Sequence, residues 1–171
     1  MRRLIILLTL ALTIGGAVVN VCGQAHPFTS DSTEYALELP GTAWRTVTEP
    51  DSVHQHAEFV YGDRNDGFLR VRKEVVEANE SVSNLARRES DQKLRFLRGY
   101  VDGREETFAG RLKGIIVSYE FTSGGKPMLG RIYYLRADTR TIYSLRFTGA
   151  KDKLTQIRNQ TDSIARSFHL K

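Results

Sequence analysis

Cysteine is nearly absent from this chain: Cys22 is the only one among 171 residues. No internal disulfide can form, and if cleavage removes Cys22 the mature chain has no thiol. That would exclude cysteine catalysis and thiolate metal sites. Charge of one sign is also lacking. The formal net charge is +5, which falls to +3 once Arg2 and Arg3 leave with a leader; that is too small to argue for nucleic acid. No P-loop, dinucleotide fingerprint or Gly-x-Ser-x-Gly elbow is present, and Gly110-x-x-x-Gly114 reads as turn glycine. Ser118 and Ser144 fall in mid-strand, and the adjacent acids Glu105 and Glu106 point to opposite faces of a strand, unlike a glycosidase dyad. Enzyme activity is not expected, and no cofactor is implied.

Long apolar runs are confined to the first residues. Arg2 and Arg3 precede the run Leu4 to Val19, and small residues follow near Val21-Cys22-Gly23 and Gly23-Gln24-Ala25. Residues 1–23 therefore read as a secretory signal peptide. A single membrane anchor is the competing reading. The run is shorter than the ~20 residues a spanning helix prefers, and Gly15-Gly16 interrupts it. Cys22 offers a third outcome, a lipid-anchored chain, although Val19-Asn20-Val21 departs from the Leu-Ala-Gly type of lipobox. The expected location is secreted or periplasmic, with a lipid anchor through Cys22 as the alternative. Residues 24–33 are polar and aperiodic and read as a flexible tether; residues 34–171 form one domain.

Within that domain, period-two alternation marks strands. Tyr35, Leu37 and Leu39 alternate up to Pro40, and a short strand with Trp44 follows. Ala57, Phe59 and Tyr61 share one face of the next strand. Leu69, Val71 and Val75 then alternate with Arg70, Arg72 and Glu74. The clearest signal is the stretch Lys113 to Ala150, a three-stranded meander turning at Gly124-Gly125 and at Asp138-Thr139-Arg140. Two segments have helical period instead. Ser81 to Arg98 carries Val82, Leu85, Ala86, Leu94 and Leu97 behind a Ser81 cap, and Lys151 to Leu170 carries Leu154, Ile157, Thr161, Ile164, Ala165 and Phe168. Aromatics on both parities of Ile132-Tyr133-Tyr134-Leu135 predict helices on opposite faces. The fold class is α+β, an α/β/α sandwich with a central antiparallel sheet and two covering helices.

The opening Tyr35-x-Leu37-x-x-Pro40-x-x-x-Trp44, the paired strand up to Tyr61, the mid-chain helix, the Gly-punctuated meander and a last helix ending in Ser167-Phe168 resemble the PsbP-like superfamily. The resemblance implies the same sandwich and mostly non-catalytic, partner-binding roles. No residues map onto a photosystem-docking segment. It implies an exported domain that binds an unidentified protein or envelope partner.

Four groups of residues are candidates for a site. His54 and His56, two apart on a strand, point the same way and suit one metal ion, with Asp51 or Glu58 nearby. Asp63, Asn65 and Asp66 lack the closing Glu of a calcium loop and read as a hairpin turn. Arg87, Arg88, Arg95 and Arg98 make the mid-chain helix basic and are the candidate partner-binding residues, with an anionic lipid surface as a related possibility. Arg70, Arg72, Arg131 and Arg146 form a second patch if their strands adjoin. Tyr119, Tyr133, Tyr134 and Tyr143 are read as core and sheet surface, or alternatively as the lining of a small-ligand groove.

Overall fold

The computed structural model describes residues 25–51 and 56–171. The proposed leader, Cys22 and His54 lie outside the described residues. Ten strands and three helices follow one another in the described chain. β1 (His26–Thr29), β2 (Tyr35–Leu39), β3 (Trp44–Thr48), β4 (Ala57–Tyr61) and β5 (Gly67–Val75) lead to α1 (Val82–Gln92). β6 (Val101–Ala109), β7 (Lys113–Ser123), β8 (Lys126–Arg136) and β9 (Thr141–Ala150) then lead to α2 (Lys151–Gln156), α3 (Arg158–Ser167) and β10 (His169–Leu170).

Seven strands make one antiparallel sheet in the order β3-β4-β5-β9-β8-β7-β6. It consists of two meanders joined by the pairing of β5 with β9. Short turns build the meanders. Gly124 and Gly125 take positive φ, as a tight hairpin requires. Asp138 accepts the Arg140 amide at 2.7 Å in the next turn, and Asp63 accepts the amides of Asn65 and Asp66 between β4 and β5. The Asp63 carboxylate is thus engaged by its own turn.

The two faces of the sheet are covered differently. On one face Phe59, Leu69, Val71, Tyr133, Leu135, Tyr143, Leu145 and Phe147 lie under α2, α3 and a second, three-stranded sheet of order β1-β2-β10. On the other face Val117, Tyr119, Ile132, Tyr134 and Ile142 lie under α1, which carries Leu85 and Ala86 inward. Helices on opposite faces, predicted from the parity of the aromatics, are what the structure has. Ser81 caps α1, its hydroxyl accepting the Asn84 amide at 3.1 Å.

Three details differ from the sequence reading. The 24–33 tether is in part a strand: β1 pairs with β2 in the register His26↔Leu39 to Thr29↔Ala36. Phe28 is buried there with its ring edge-on to Phe59 at 4.8 Å. Four residues including Pro27 are too few to show alternation, so tertiary burial of Phe28 decides this element. The mid-chain helix stops at Gln92 and continues as a 3-10 turn, Leu94–Phe96. The last helix is two, broken at Ile157 (φ −95, ψ 14). Ile157 is buried against Gly67 and Trp44, while Gln160 accepts the Trp44 indole N–H at 2.9 Å.

A polar network ties α3 to the sheet. Arg131 is buried on the α3 face of β8 and reaches Asp162 at 2.9 Å, while its Nε donates to the Tyr133 hydroxyl at 2.8 Å. Tyr133 in turn donates to Asp162 and meets Thr161 at 3.0 Å. Removing one partner of a buried pair strands the other charge, whereas replacing both with apolar groups relieves the desolvation cost. Asp162→Ala should therefore cost about 2–3 kcal/mol in urea unfolding, and Arg131→Met combined with Asp162→Leu should recover most of that loss. A double variant no more stable than the single one would show that the network stabilises beyond this pair.

Candidate binding surface

α1 packs on β7 and β8 and leaves the β3-β4-β5 half of its own face without a helix. The residues presented there follow from strand parity. Leu69 and Val71 go to the core, so Phe68, Arg70, Arg72 and Glu74 face the other way; Leu145 and Phe147 go to the core, so Ser144, Arg146 and Thr148 do likewise. The register of β5 on β9 sets Arg70 opposite Arg146 and Arg72 opposite Ser144. Arg45 and Arg64 enlarge the basic surface. Arg45 donates to the Gly62 carbonyl at 3.1 Å, and Arg64 and Arg70 both lie over the Phe68 ring, at 4.5 and 5.5 Å.

Glu58 is the acid at the centre of this half. It is 7% exposed; it accepts Arg70 Nε at 2.6 Å, the Thr48 hydroxyl at 3.0 Å and Arg64 at 3.4 Å. Burial pushes its carboxyl up, but hydrogen bonds from Thr48 and Arg70 and the charges of Arg70 and Arg64 outweigh that, and the net direction is down. Glu74 goes the other way. Burial raises it first, and the neighbouring charge of Glu89 adds to the effect.

Arg146 is placed by aromatic packing. Its Nε donates to the Tyr119 hydroxyl at 2.9 Å and its guanidinium lies 5.6 Å from that ring's centre. Tyr119 sits against Gly130, where an added Cβ would come within 2.0 Å of the ring. The glycine is there because the ring occupies the space above it.

The residues singled out by sequence fall in several places. Arg70, Arg72 and Arg146 come together, but Arg131 lies on the opposite face in the α3 network. Of the four helix arginines, Arg87 and Arg95 line one surface cavity and Arg87 and Arg88 another. Arg88 pairs with Glu80, Arg95 pairs with Asp91 at 3.1 Å from the 3-10 turn, and Arg98 lies beyond that turn. His56 is half-buried just before β4; among the described residues no group of three or more His, Cys, Asp or Glu could hold a metal ion. The tyrosines do not line a groove. All four are at most 1% exposed, and their hydroxyls bond to Arg146, Asp162, Glu89 and Glu34 respectively. Burial raises each of their pKa values.

A cavity of about 720 Å³ lies at the pole between the start of α1 and the β8–β9 turn. Its Arg136 is engaged by the carbonyls of Glu80, Asp138 and Thr139. Among the described residues no helix is long and apolar enough to cross a membrane.

No protein-family model matches the sequence, and no curated protein matches it. Solved structures do match in shape. A protein from Bacteroides thetaiotaomicron is similar with a TM-score of 0.59 and 10% identity over 88% of this chain, which spans 49% of that protein. Cyanobacterial PsbP (CyanoP) from Synechocystis gives 0.57 and 14% identity, covering 91% of this chain and 96% of that one. LpqN of Mycobacterium tuberculosis, involved in cell envelope biogenesis, gives 0.54 and 14% identity, covering 86% and 90%. The chain has a PsbP-like fold.

A carboxyl held below its ordinary pKa stabilises the fold when ionised, and that contribution is lost as pH falls through the folded-state value. Glu58→Gln is therefore expected to lower stability by about 2 kcal/mol at neutral pH. The deficit should shrink as pH falls below the ordinary carboxylate range and the Glu58 carboxyl takes up its proton, as read from urea midpoints at neutral and acid pH. An equal deficit at both would remove the ion pair as its source.

Proposed function

We propose that this chain is an exported, non-enzymatic binding domain that docks an acidic protein partner on the open half of its central sheet. The observation that carries the reading is the clustering of Arg45, Arg64, Arg70, Arg72 and Arg146 on a half of the sheet face that, among the described residues, α1 leaves open. A sheet face left open and dominated by one charge is complementary to an acidic surface. Arginine above an aromatic ring, as with Arg64 over Phe68, supplies both apolar area and donors. Export is supported by Arg2, Arg3 and the apolar run that follows them.

The test is site-specific photo-crosslinking in the host. A photoreactive residue at Arg72 or Thr148 should give discrete protein adducts, and the same residue at Lys153 on α2 should not. Arg64→Gln should weaken the Thr148 adduct, as should raised salt. Equal adducts from both faces, or none from the open half, would overturn the docking surface. Recovery of the full-length chain in the cytoplasm, with residues 1–23 attached, would overturn export.

One observation favours a second reading. Phe96 is 81% exposed between Arg95 and Arg98, and Val101 beside this corner is 57% exposed. An exposed aromatic among cations suits an anionic membrane surface. Sedimentation with phosphatidylglycerol vesicles that is lost in Phe96→Ser, and absent with phosphatidylcholine, would support it. No sedimentation with either lipid would exclude it.

A further inference from the structure

At the boundary where α1 stops covering the sheet lies a small cavity of about 20 Å³ walled by Arg70, Arg72, Glu89, Ile132, Ser144 and Arg146. Resting on the docking surface proposed above, we infer that this cavity is a subsite for one carboxylate, the tip of an aspartate or glutamate side chain of the partner protein.

Ser144 is the first reason. The residue is 5% exposed and is one of the walls of the cavity, so a group seated there can accept from its hydroxyl. The arginines are the second. Arg70 and Arg146 stand directly opposite one another across β5 and β9, an arrangement that is unfavourable for like charges unless an anion answers them. Glu58 answers Arg70. Arg146 has only the neutral Tyr119 hydroxyl on its Nε, and its terminal nitrogens make no hydrogen bond among the described residues. Arg72 is exposed, and its charge acts on Glu74.

Glu89 is the one acid in the wall and works against an anion. Its carboxylate is already held by the Tyr134 hydroxyl at 2.7 Å and faces Lys93 at 3.5 Å. With Arg70 answered by Glu58, Arg72 and Arg146 face the one wall carboxylate, Glu89, and the cavity wall keeps a positive excess. Size favours the smaller anion: the cavity is small, and a carboxylate tip brings two oxygens into it where a phosphate brings more.

The experiment is an NMR titration of the purified mature chain with acetate, inorganic phosphate and chloride at matched ionic strength, following the Ser144 amide and the Arg70 and Arg146 Nε–H signals. Acetate should give saturable shifts and chloride only small linear ones. Ser144→Ala and Arg72→Gln should each weaken acetate by about tenfold, the range expected for one charge-assisted hydrogen bond. Arg72 is exposed, so its variant keeps the test decisive if Ser144→Ala fails to fold. Shifts equal to those of chloride, or an acetate affinity unchanged in both variants, would overturn the subsite. Tighter saturable binding of phosphate would overturn the carboxylate assignment. Saturable acetate binding without crosslinks from the open half would leave the subsite standing and remove the protein-docking reading. Crosslinks with acetate behaving as chloride would do the reverse.

Discussion

The pairing of β5 with β9 joins two meanders that would otherwise be separate hairpin stacks. Its register runs from Phe68↔Thr148 to Val75↔Thr141. Leu69 and Val71 then meet Phe147 and Leu145 inside the larger core. Because successive side chains alternate between faces, a slip of one residue would bury Arg70 and Arg72 and expose Leu69 and Val71. The same register that closes the core also places the arginines together on the other side. Core and candidate site are two consequences of one set of backbone hydrogen bonds.

Covering that sheet is an unequal matter. One face lies under α2, α3 and the three-stranded sheet, and its core includes Trp44, Phe59, Tyr133, Phe147 and Phe168. On the other, α1 is only eleven residues long and reaches β7 and β8. Apolar residues on its side stop accordingly: Ile132, Tyr134 and Ile142 lie in the smaller core, and Arg70, Arg72 and Arg146 lie beyond it. Glu58 supplies the counter-charge that allows so many cations on adjacent strands. Its own position is defined by Thr48, which the bulge between Thr46 and Thr48 brings opposite it.

The PsbP-like fold shared with CyanoP and LpqN at 14% identity is a scaffold, and fold alone does not specify a ligand. In this chain the candidate ligand chemistry lies in the side chains on the open half-sheet. The tyrosines that resembled a ligand groove in the sequence are instead interior. Their rings fill both cores while their hydroxyls bond polar side chains: Tyr119 bonds Arg146, Tyr134 bonds Glu89 and Tyr143 bonds Glu34. Two of these contacts hold the edge of the open surface from the α1-covered side, since Arg146 and Glu89 are walls of its cavity.

Strand faces, turns and the class of fold were determined by the sequence itself, because alternation and turn chemistry are local properties. Gly124-Gly125, the Asp138 turn, the Ser81 cap and the parity of Tyr133 and Tyr134 all act within a few residues. Adjacency is not local. That Arg70 and Arg72 lie beside Arg146 and Ser144, while Arg131 turns to Asp162 on the far face, depends on which strands pair across long stretches of chain. The strand at Phe28 and the break at Ile157 were likewise decided by tertiary packing, against Phe59 in the one case and against Trp44 and Gly67 in the other. Neither segment carries a local signal strong enough to outweigh the burial of one large side chain.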